Sequence, residues 1–285
     1  MIDLHCHSRC SDGSDEPHEL SRLADQAGLK AVALTDHDTL SGLDDFLGQQ
    51  NKVSVRLLPG IELSCEFLGQ DLHVLGLFVD HRDKQFVERV ESLRRRRQKR
   101  NRQIFQRLSE INVNISPSDL PDDGQGIIVT RSHIAEMLTS AGHGNTKKEA
   151  FQKYIGEGGL AYAPFEYLSP SEAFKWIREA KGVPVVAHPG RFWRFMGNQF
   201  VWGPAMAELR GMGLEGIEAY YSEHSAKETA YFLDICDSLG MAPTGGSDYH
   251  GNGKPKCKLG TGYGDLCVPD EVLDKLYKLT EKPAR

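Results

Sequence analysis

Short apolar segments alternate with amphipathic helical patterns along most of this chain. MIDLHCH is typical of a strand, PHELSRLADQAG of a helix that begins at a proline and ends at a glycine, and KAVALTDHD of a buried strand. A strand, a helix and a second strand in this order are typical of a parallel sheet covered by helices. We therefore predict an α/β fold.

The alternation is interrupted in the middle of the chain. VRLLPGIELSCEF, the turn LGQD and LHVLGLFVD predict a hairpin, and residues 82–165 then predict one long helix followed by two shorter ones. The strand and helix alternation returns after residue 166. We interpret residues 82–165 as a helical insertion or lid, and residues 1–81 and 166–285 as the two parts of one α/β unit.

Composition excludes several classes of protein. The formal net charge of -6 gives no general attraction to DNA or to an anionic membrane surface. No apolar run approaches the ~18 residues that a membrane span needs. The six cysteines form no CxxC pair, and the polar N-terminus does not resemble a secretory signal, so we expect a cytoplasmic protein with reduced thiols and no membrane partner.

Metal-competent side chains follow nearly every predicted strand. In an α/β barrel the active site lies at the carboxyl ends of the strands. The candidates there are His5, His7, Asp36, His37, Asp38, Glu62, His188, Glu218, His224, Asp248 and His250. A single histidine at a strand end is usually only a hydrogen-bonded polar residue, but the repetition over five strands indicates a metal cluster.

The ligand types narrow the choice of metal. Imidazole and carboxylate without thiolate suit Mn, Fe or Zn, and they disfavour a closed structural zinc site. The candidates are too many for one ion, so we predict two or three divalent ions, with Mn preferred. Two ions held ~3.5–4 Å apart can clamp a phosphoryl group and supply a hydroxide nucleophile.

Six motifs in order along nearly the whole chain resemble those of the PHP (polymerase and histidinol phosphatase) domain family. They are DLHCHSRCSDG, ALTDHDTLSG, GIELSC, HVLG, AHPG and GGSDYH. The resemblance implies a distorted (β/α)7 TIM-like barrel with a trinuclear metal centre. TRSHIA and the helical insertion resemble the branch that hydrolyses nucleoside 3',5'-bisphosphates and trims short RNA from its 5' end.

Carried over motif by motif, the resemblance implies three metal sites, of which the first two share one carboxylate. The implied ligands are His5, His7, Glu62 and Asp248 in the first site, Glu62, His73 and His188 in the second, and Asp12, His37 and His250 in the third. Some relatives have histidine where Asp12 stands.

Other residues are candidates for binding the substrate. Arg131, Ser132 and His133 lie near a predicted helix start, where an anion can bind, and Arg191 follows AHPG. Ordinary surface arginines are the alternative. His224 can donate a proton to a leaving group or have a structural role. RRRRQKRNR lies within the long helical pattern, which favours a solvated helix face over a nucleic-acid groove.

These features favour a metal-dependent phosphatase whose metal-bridging hydroxide removes the 3'-phosphate of nucleoside 3',5'-bisphosphates and leaves 5'-monophosphates. The alternative is a 5'-to-3' exoribonuclease acting on short RNA, and a histidinol-phosphate-type phosphomonoesterase is a weaker one. A non-catalytic metal-binding module and an amidohydrolase are disfavoured, the latter because no lysine that would be carboxylated stands at a strand end.

Overall fold

The computed structural model describes residues 1–116, 118, 127–196 and 201–280, with the side chains of residues 195 and 196 left out. The strands in this part of the chain are β1 (Asp3–Cys6), β2 (Ala31–Leu34), β3 (Arg56–Phe67), β4 (Gln70–Leu77), β5 (Val183–Val186), β6 (Gly216–Tyr221) and β7 (Ala242–Gly246). The α-helices are α1 (Pro17–Gln26), α2 (Leu43–Leu47), α3 (Lys84–Glu110), α4 (Arg131–Ser140), α5 (Lys147–Ala150), α6 (Pro170–Glu179), α7 (Pro189–Met196), α8 (Trp202–Met212), α9 (Ala226–Leu239) and α10 (Glu271–Thr280).

The strands form one sheet in the order of the sequence, from β1 to β7. Pairing is parallel except on both sides of β4, where the predicted β3–β4 hairpin makes it antiparallel. The sheet curls until β1 and β7 meet: the Asp248 N–H donates to the His5 carbonyl oxygen at 2.8 Å, and the His7 N–H donates to the Tyr249 carbonyl oxygen at 2.9 Å. The result is a nearly closed seven-stranded barrel, as the distorted TIM-like prediction requires.

Hydrophobic clusters fix the helices on this barrel. Ile2 and Leu4 pack with residues of β2 to β5 and with α10, whereas Cys6 packs with α1 and α2. A third cluster joins β3 to β6 with α6, α8, α9 and the first half of α3. Ile2, Leu4 and Cys6 thus form the apolar face of the segment around β1. His5 and His7 lie on its opposite face, as the alternation of residues in the sequence predicts.

The predicted helical stretch has its own core. The second half of α3 packs with α4, α5 and the π-turn Phe151–Ile155 through Ile104, Ile134, Leu138 and other apolar residues. Because the first half of α3 packs on the barrel, this single helix connects the two cores. None of the helices among the described residues is long and apolar enough to cross a membrane.

Two helices were not predicted, and one predicted helix is shorter. α7 begins at Pro189, immediately after His188, where the sequence predicted no helix; proline is well suited to a first helical turn. No element was predicted after residue 250, where α10 lies. SGLDDFLGQQN favours a longer helix, whereas α2 is limited to Leu43–Leu47 and is followed by the 3-10 turn Gln50–Lys52.

Candidate metal centre

All nine predicted ligands converge at the carboxyl end of the barrel. Their ligand atoms form overlapping groups within which every atom lies within 4.8 Å of the others. The groups are His7, Asp12, His37 and His250; His5, Glu62 and His188; His5, His7 and Asp248; and His37, Glu62 and His73. The fold therefore brings together side chains that are distant in the sequence, and the division of these ligands among metals stays a prediction.

Glu62 lies at the centre of the cluster and is fully buried. Its Oε1 is 2.9 Å from both His73 Nδ1 and His188 Nε2. Its Oε2 is 3.0 Å from His37 Nδ1 and 3.2 Å from His7 Nε2. One carboxylate thus faces two sets of imidazoles, which is the arrangement that a bridging ligand needs.

The two carboxylate oxygens of Asp248 have different contacts. One lies near the histidines of the cluster, and the other accepts hydrogen bonds from residues outside it. Its Oδ1 is 3.3 Å from His7 Nε2 and 3.6 Å from His5 Nε2. Its Oδ2 accepts a hydrogen bond from the Tyr221 hydroxyl at 2.9 Å and another from the Lys254 ammonium. These two donors fix the carboxylate so that Oδ1 points at the histidines.

Asp12 completes the other side of the cluster. Its Oδ1 is 3.2 Å from His250 Nε2, 3.8 Å from His37 Nε2 and 3.9 Å from His7 Nδ1. Asp12 lies on the loop after β1, so this loop and the segments that follow β2 and β7 each contribute to one group of donors.

The charges of the cluster favour ionised carboxylates. Burial acts to raise the pKa of Glu62, but the neighbouring His37, His5 and His73 outweigh it and hold this pKa well below its usual range. Burial likewise opposes ionisation of Asp248, but Lys254, His250 and His5 keep its pKa low. These carboxylates are therefore available as ligands at neutral pH, and a metal would replace the charge that protonated histidines supply.

Three buried polar atoms within the cluster fit the prediction of a metal. Asp12 Oδ1, His37 Nδ1 and Glu62 Oε2 are all buried, and no described residue offers them a partner with hydrogen-bond geometry. Unsatisfied buried polar atoms are rare in folded proteins, and a bound ion can satisfy them. Together with a donor set of imidazole and carboxylate, they fit a divalent ion such as Mn, Fe or Zn.

Glu218 has a supporting position rather than a place in these groups. Its Oε1 is 2.9 Å from His5 Nδ1, and its Oε2 accepts a hydrogen bond from the His188 backbone N–H at 2.7 Å. Both histidines belong to the cluster. A carboxylate on the second nitrogen of a metal-binding histidine fixes the tautomer and the direction of the ring.

Three residues at the cluster have a strained backbone. Asp38, His188 and Asp248 have φ values of 48°, 30° and 55°, and each follows the end of a strand. The left-handed region is unfavourable for residues with a side chain and costs roughly 1–3 kcal/mol in such positions. This strain is stored where the side chains must converge.

The GGSDYH motif also has a packing reason for its second glycine. A Cβ atom on Gly246 would lie 2.4 Å from the Cβ of His5. Only glycine allows β7 to approach β1 this closely, and that approach brings Asp248 to the histidines.

A cavity of about 970 Å³ opens above the cluster. One side is the barrel and the other is formed by α3, α4, α5 and the segment around Phe165. Its lining includes the cations Arg97, Arg100, Arg131, Lys147, Lys148, Arg191 and Lys254. Carboxylates also line it, namely Glu66, Asp71 and Glu157 beside the cluster's own Asp12, Glu62 and Asp248. Outside the cluster, the arginines and lysines of the lining outnumber its carboxylates by seven to three, which suits a phosphate-bearing substrate.

The predicted substrate-binding residues lie in different settings. Arg131 and Ser132 line the cavity, and Arg131 also pairs with Asp71 at 2.9 Å. Arg191 lines the cavity, with its Nη1 3.8 Å from Asp248 Oδ2. His133 is engaged within α4, where its Nδ1 accepts a hydrogen bond from the Thr130 N–H at 3.1 Å.

His224 contacts the backbone with both ring nitrogens. Nδ1 is 3.0 Å from the Ala219 carbonyl oxygen, and Nε2 accepts a hydrogen bond from the Gly190 N–H at 3.1 Å. This pattern requires the Nδ1–H tautomer and leaves no proton on Nε2. A catalytic role for His224 stays a prediction, and these contacts favour the structural alternative.

Five of the seven cations that line the cavity were not predicted from the sequence, namely Arg97, Arg100, Lys147, Lys148 and Lys254. Lys254 stands four residues after His250, close enough to the GGSDYH motif to have been considered. Arg97 and Arg100 are buried, so the interpretation of the arginine run as a solvated face is wrong for these two. They continue the helical spacing of Leu93, Arg97, Arg100 and Ile104, a pattern that identifies the inner face of α3.

Comparison with known proteins agrees with the fold and the cluster. Residues 3–161, more than half of the chain, match the model of the PHP domain. The chain belongs to the PHP domain family, and the predicted resemblance is confirmed. Its fold and donor set are those of a metal-dependent phosphoesterase.

Two curated relatives span nearly the same length. The chain is 28% identical over 250 residues to a 5'-3' exoribonuclease of Haemophilus influenzae, a match that covers 87% of this chain and 89% of that protein. It is 29% identical over 259 residues to a 3',5'-nucleoside bisphosphate phosphatase of Chromobacterium violaceum, a match that covers 89% of this chain and 88% of that protein.

A solved structure from Bifidobacterium adolescentis, provisionally described as a metal-dependent phosphoesterase, superposes with a TM-score of 0.84 at 27% identity. The match covers 98% of this chain and 96% of that one. The fold is therefore shared over nearly the whole chain, including the helical stretch above the barrel.

Proposed function

We propose that this protein is a metal-dependent phosphatase that removes the 3'-phosphate of nucleoside 3',5'-bisphosphates and releases the 5'-monophosphates. The observation that carries the proposal is the position of the nine-residue cluster at the base of a cavity lined by arginines and lysines. A substrate with two phosphates can place one at the cluster and the other on the cationic wall. The Chromobacterium violaceum relative supports this choice of substrate.

The nine residues would hold two or three divalent ions, with Mn preferred. We assign His5, His7, Glu62 and Asp248 to the first site, Glu62, His73 and His188 to the second, and Asp12, His37 and His250 to the third. When bound, such ions act as Lewis acids toward a phosphoryl group and activate water as a nucleophile.

The protein's own residues orient the substrate and compensate its charge. Arg191 and Lys254 lie on the cavity side of Asp248, where they can bind the oxygens of the reacting phosphoryl group. Preorganised cations at this position favour the charge that develops in the transition state.

The first test is phosphate release from adenosine 3',5'-bisphosphate by Mn-loaded protein, with identification of the nucleoside product. Formation of 5'-AMP establishes the activity and the scissile group. Formation of 3'-AMP would contradict the assignment of the hydrolysed phosphate. Inertness toward the bisphosphate, with mononucleotides liberated from 5'-phosphorylated short RNA, would replace the proposal by the second candidate.

That second candidate is a 5'-to-3' exoribonuclease acting on short RNA. It is favoured by the Haemophilus influenzae relative and by Lys147 and Lys148, which extend the cationic lining of the cavity. The same centre can serve both reactions, since each breaks a phosphate ester bond.

A further inference from the structure

The arginine run of α3 is divided between two faces of the helix. Arg95 and Arg102 are exposed, whereas Arg97 and Arg100 are only 7% and 3% exposed and line the cavity. Burying a guanidinium is unfavourable unless its charge is compensated and its N–H groups have acceptors. Arg97 has both a compensating charge and hydrogen-bond acceptors, whereas Arg100 lacks a compensating carboxylate among the described residues.

Arg97 is fully engaged by the protein. Its guanidinium donates to Asp38 Oδ2, from Nε at 2.7 Å and also from Nη2, and Nη2 further donates to the Ser64 hydroxyl at 2.7 Å. Asp38 follows directly after the predicted ligand His37. Arg97 therefore ties α3 to the edge of the metal cluster, and its charge is neutralised there.

Arg100 has no such partner among the described residues. No carboxylate in this part of the chain pairs with it, its Nε is buried without a hydrogen-bond acceptor, and its one hydrogen bond is a long contact of 3.4 Å to the Asn101 side chain. The central carbon of its guanidinium lies over the Phe165 ring, 4.8 Å from the ring centre. Burial, together with the nearby Arg97 and Arg131, lowers the pKa of Arg100 to about 9.

The position of Arg100 is defined relative to the cluster. It follows Arg97 by three residues, which is about 4.5 Å of helical rise. Since Arg97 is fixed at Asp38, Arg100 lies roughly one helical turn further along α3 and lines the same cavity as the cluster. Arg131, whose charge is shared with Asp71, lies on α4 at the same cavity.

We propose that Arg100 is the specificity-determining residue that binds the phosphate of the substrate that is not hydrolysed. Its contact with Phe165 restricts the guanidinium, and its N–H groups that lack an acceptor are available to an anion in the cavity that Arg100 lines. An anion bound there would accept hydrogen bonds from the Arg100 guanidinium and compensate its positive charge, which no carboxylate among the described residues does. The identity of the anion as a second phosphate rests on the proposed function. The anion site at Arg100 does not depend on it.

The test compares Arg100→Met with the matched control Arg102→Met, which removes the same charge from the exposed face of the same helix. For each metal-loaded protein, kcat and KM are measured for a nucleoside 3',5'-bisphosphate and for the 3'-monophosphate that lacks the second phosphate. Arg100→Met should lower kcat/KM for the bisphosphate by roughly 10–100-fold, mainly through KM, and leave the 3'-monophosphate nearly unchanged. Arg102→Met should change neither, and Arg100→Lys should retain part of the preference.

Binding of a nucleoside 5'-monophosphate by calorimetry separates this inference from the proposed function. Weaker binding to Arg100→Met than to Arg102→Met supports the subsite even where no bisphosphate is hydrolysed. Equal binding to both variants, or an equal loss on both substrates in a correctly folded Arg100→Met protein, would overturn it. Thermal unfolding of each variant establishes that it is folded.

Discussion

Glu218 fixes the ring of His5: their Oε1 and Nδ1 atoms lie 2.9 Å apart, and both side chains are fully buried. The same carboxylate accepts a hydrogen bond from the backbone N–H of His188 at 2.7 Å. Two residues of the cluster therefore depend on one side chain that is outside it.

We expect Glu218→Gln to weaken Mn binding by about 10–100-fold, the usual effect of losing such an outer partner. The neutral amide cannot stabilise the His5 tautomer in the same way or compensate its charge. Titration calorimetry of metal-free protein with Mn measures the change. The control is Glu208→Gln, an exposed residue of α8. Equal affinity in wild type and Glu218→Gln would contradict the role assigned to this residue.

Replacing a proposed ligand should have a larger effect. We expect His7→Asn and Asp248→Asn each to lower turnover of the bisphosphate by more than about 100-fold, above the range for outer partners. The fold should persist, because the barrel is closed by backbone hydrogen bonds and apolar packing. Turnover and circular dichroism are compared with Asp265→Asn, an exposed control. Full activity in either ligand variant would show that the cluster assignment is wrong.

The sequence predicts most of this centre because strand ends are local features. His5 and His7 alternate with apolar neighbours, so their shared face can be derived from period two. The helical spacing of Leu93, Arg97, Arg100 and Ile104 indicates the buried face of the arginine run, but the partners of the buried arginines could not be derived, because Asp38 and Phe165 are distant in sequence.

Arg97 and Asp38 form a buried pair that should contribute to stability. Asn tolerates the left-handed backbone at residue 38, so Asp38→Asn mainly removes the charge and leaves Arg97 uncompensated. Breaking a buried pair in this way costs about 3–5 kcal/mol. We expect a loss of this size in urea unfolding at neutral pH, whereas Glu166→Gln, which disrupts an exposed pair with Lys99, should have no measurable effect.

The same pair predicts a pH dependence. Burial acts to raise the pKa of Asp38, but Arg97 outweighs it and lowers this pKa. The stabilisation is therefore present above the unfolded pKa of about 3.9 and is lost as the pH falls through the lower folded value. The difference in unfolding free energy between wild type and Asp38→Asn should shrink only in acid. A difference that is the same at every pH would contradict this role of the ionised carboxylate.

His224 provides a test of structural against catalytic roles. His224→Phe keeps an aromatic ring beside Phe232 but leaves the Gly190 N–H and the Ala219 carbonyl without their partner. We expect a loss of about 1–3 kcal/mol in unfolding free energy, with the pH profile of kcat retained. Disappearance of the alkaline limb of that profile would instead identify His224 as the general acid.

Salt dependence tests whether the outer cavity binds RNA. Each phosphate of single-stranded RNA that a lysine neutralises contributes a slope of about −0.7 to log K against log salt. We expect kcat/KM on 5'-phosphorylated short RNA to fall steeply with salt, and that on the bisphosphate to fall much less. Lys148→Gln should reduce the RNA slope by about one such step, because Lys148 lines the cavity together with Arg131. Flat and equal responses for both substrates would show that this surface does not bind the RNA chain through its phosphates.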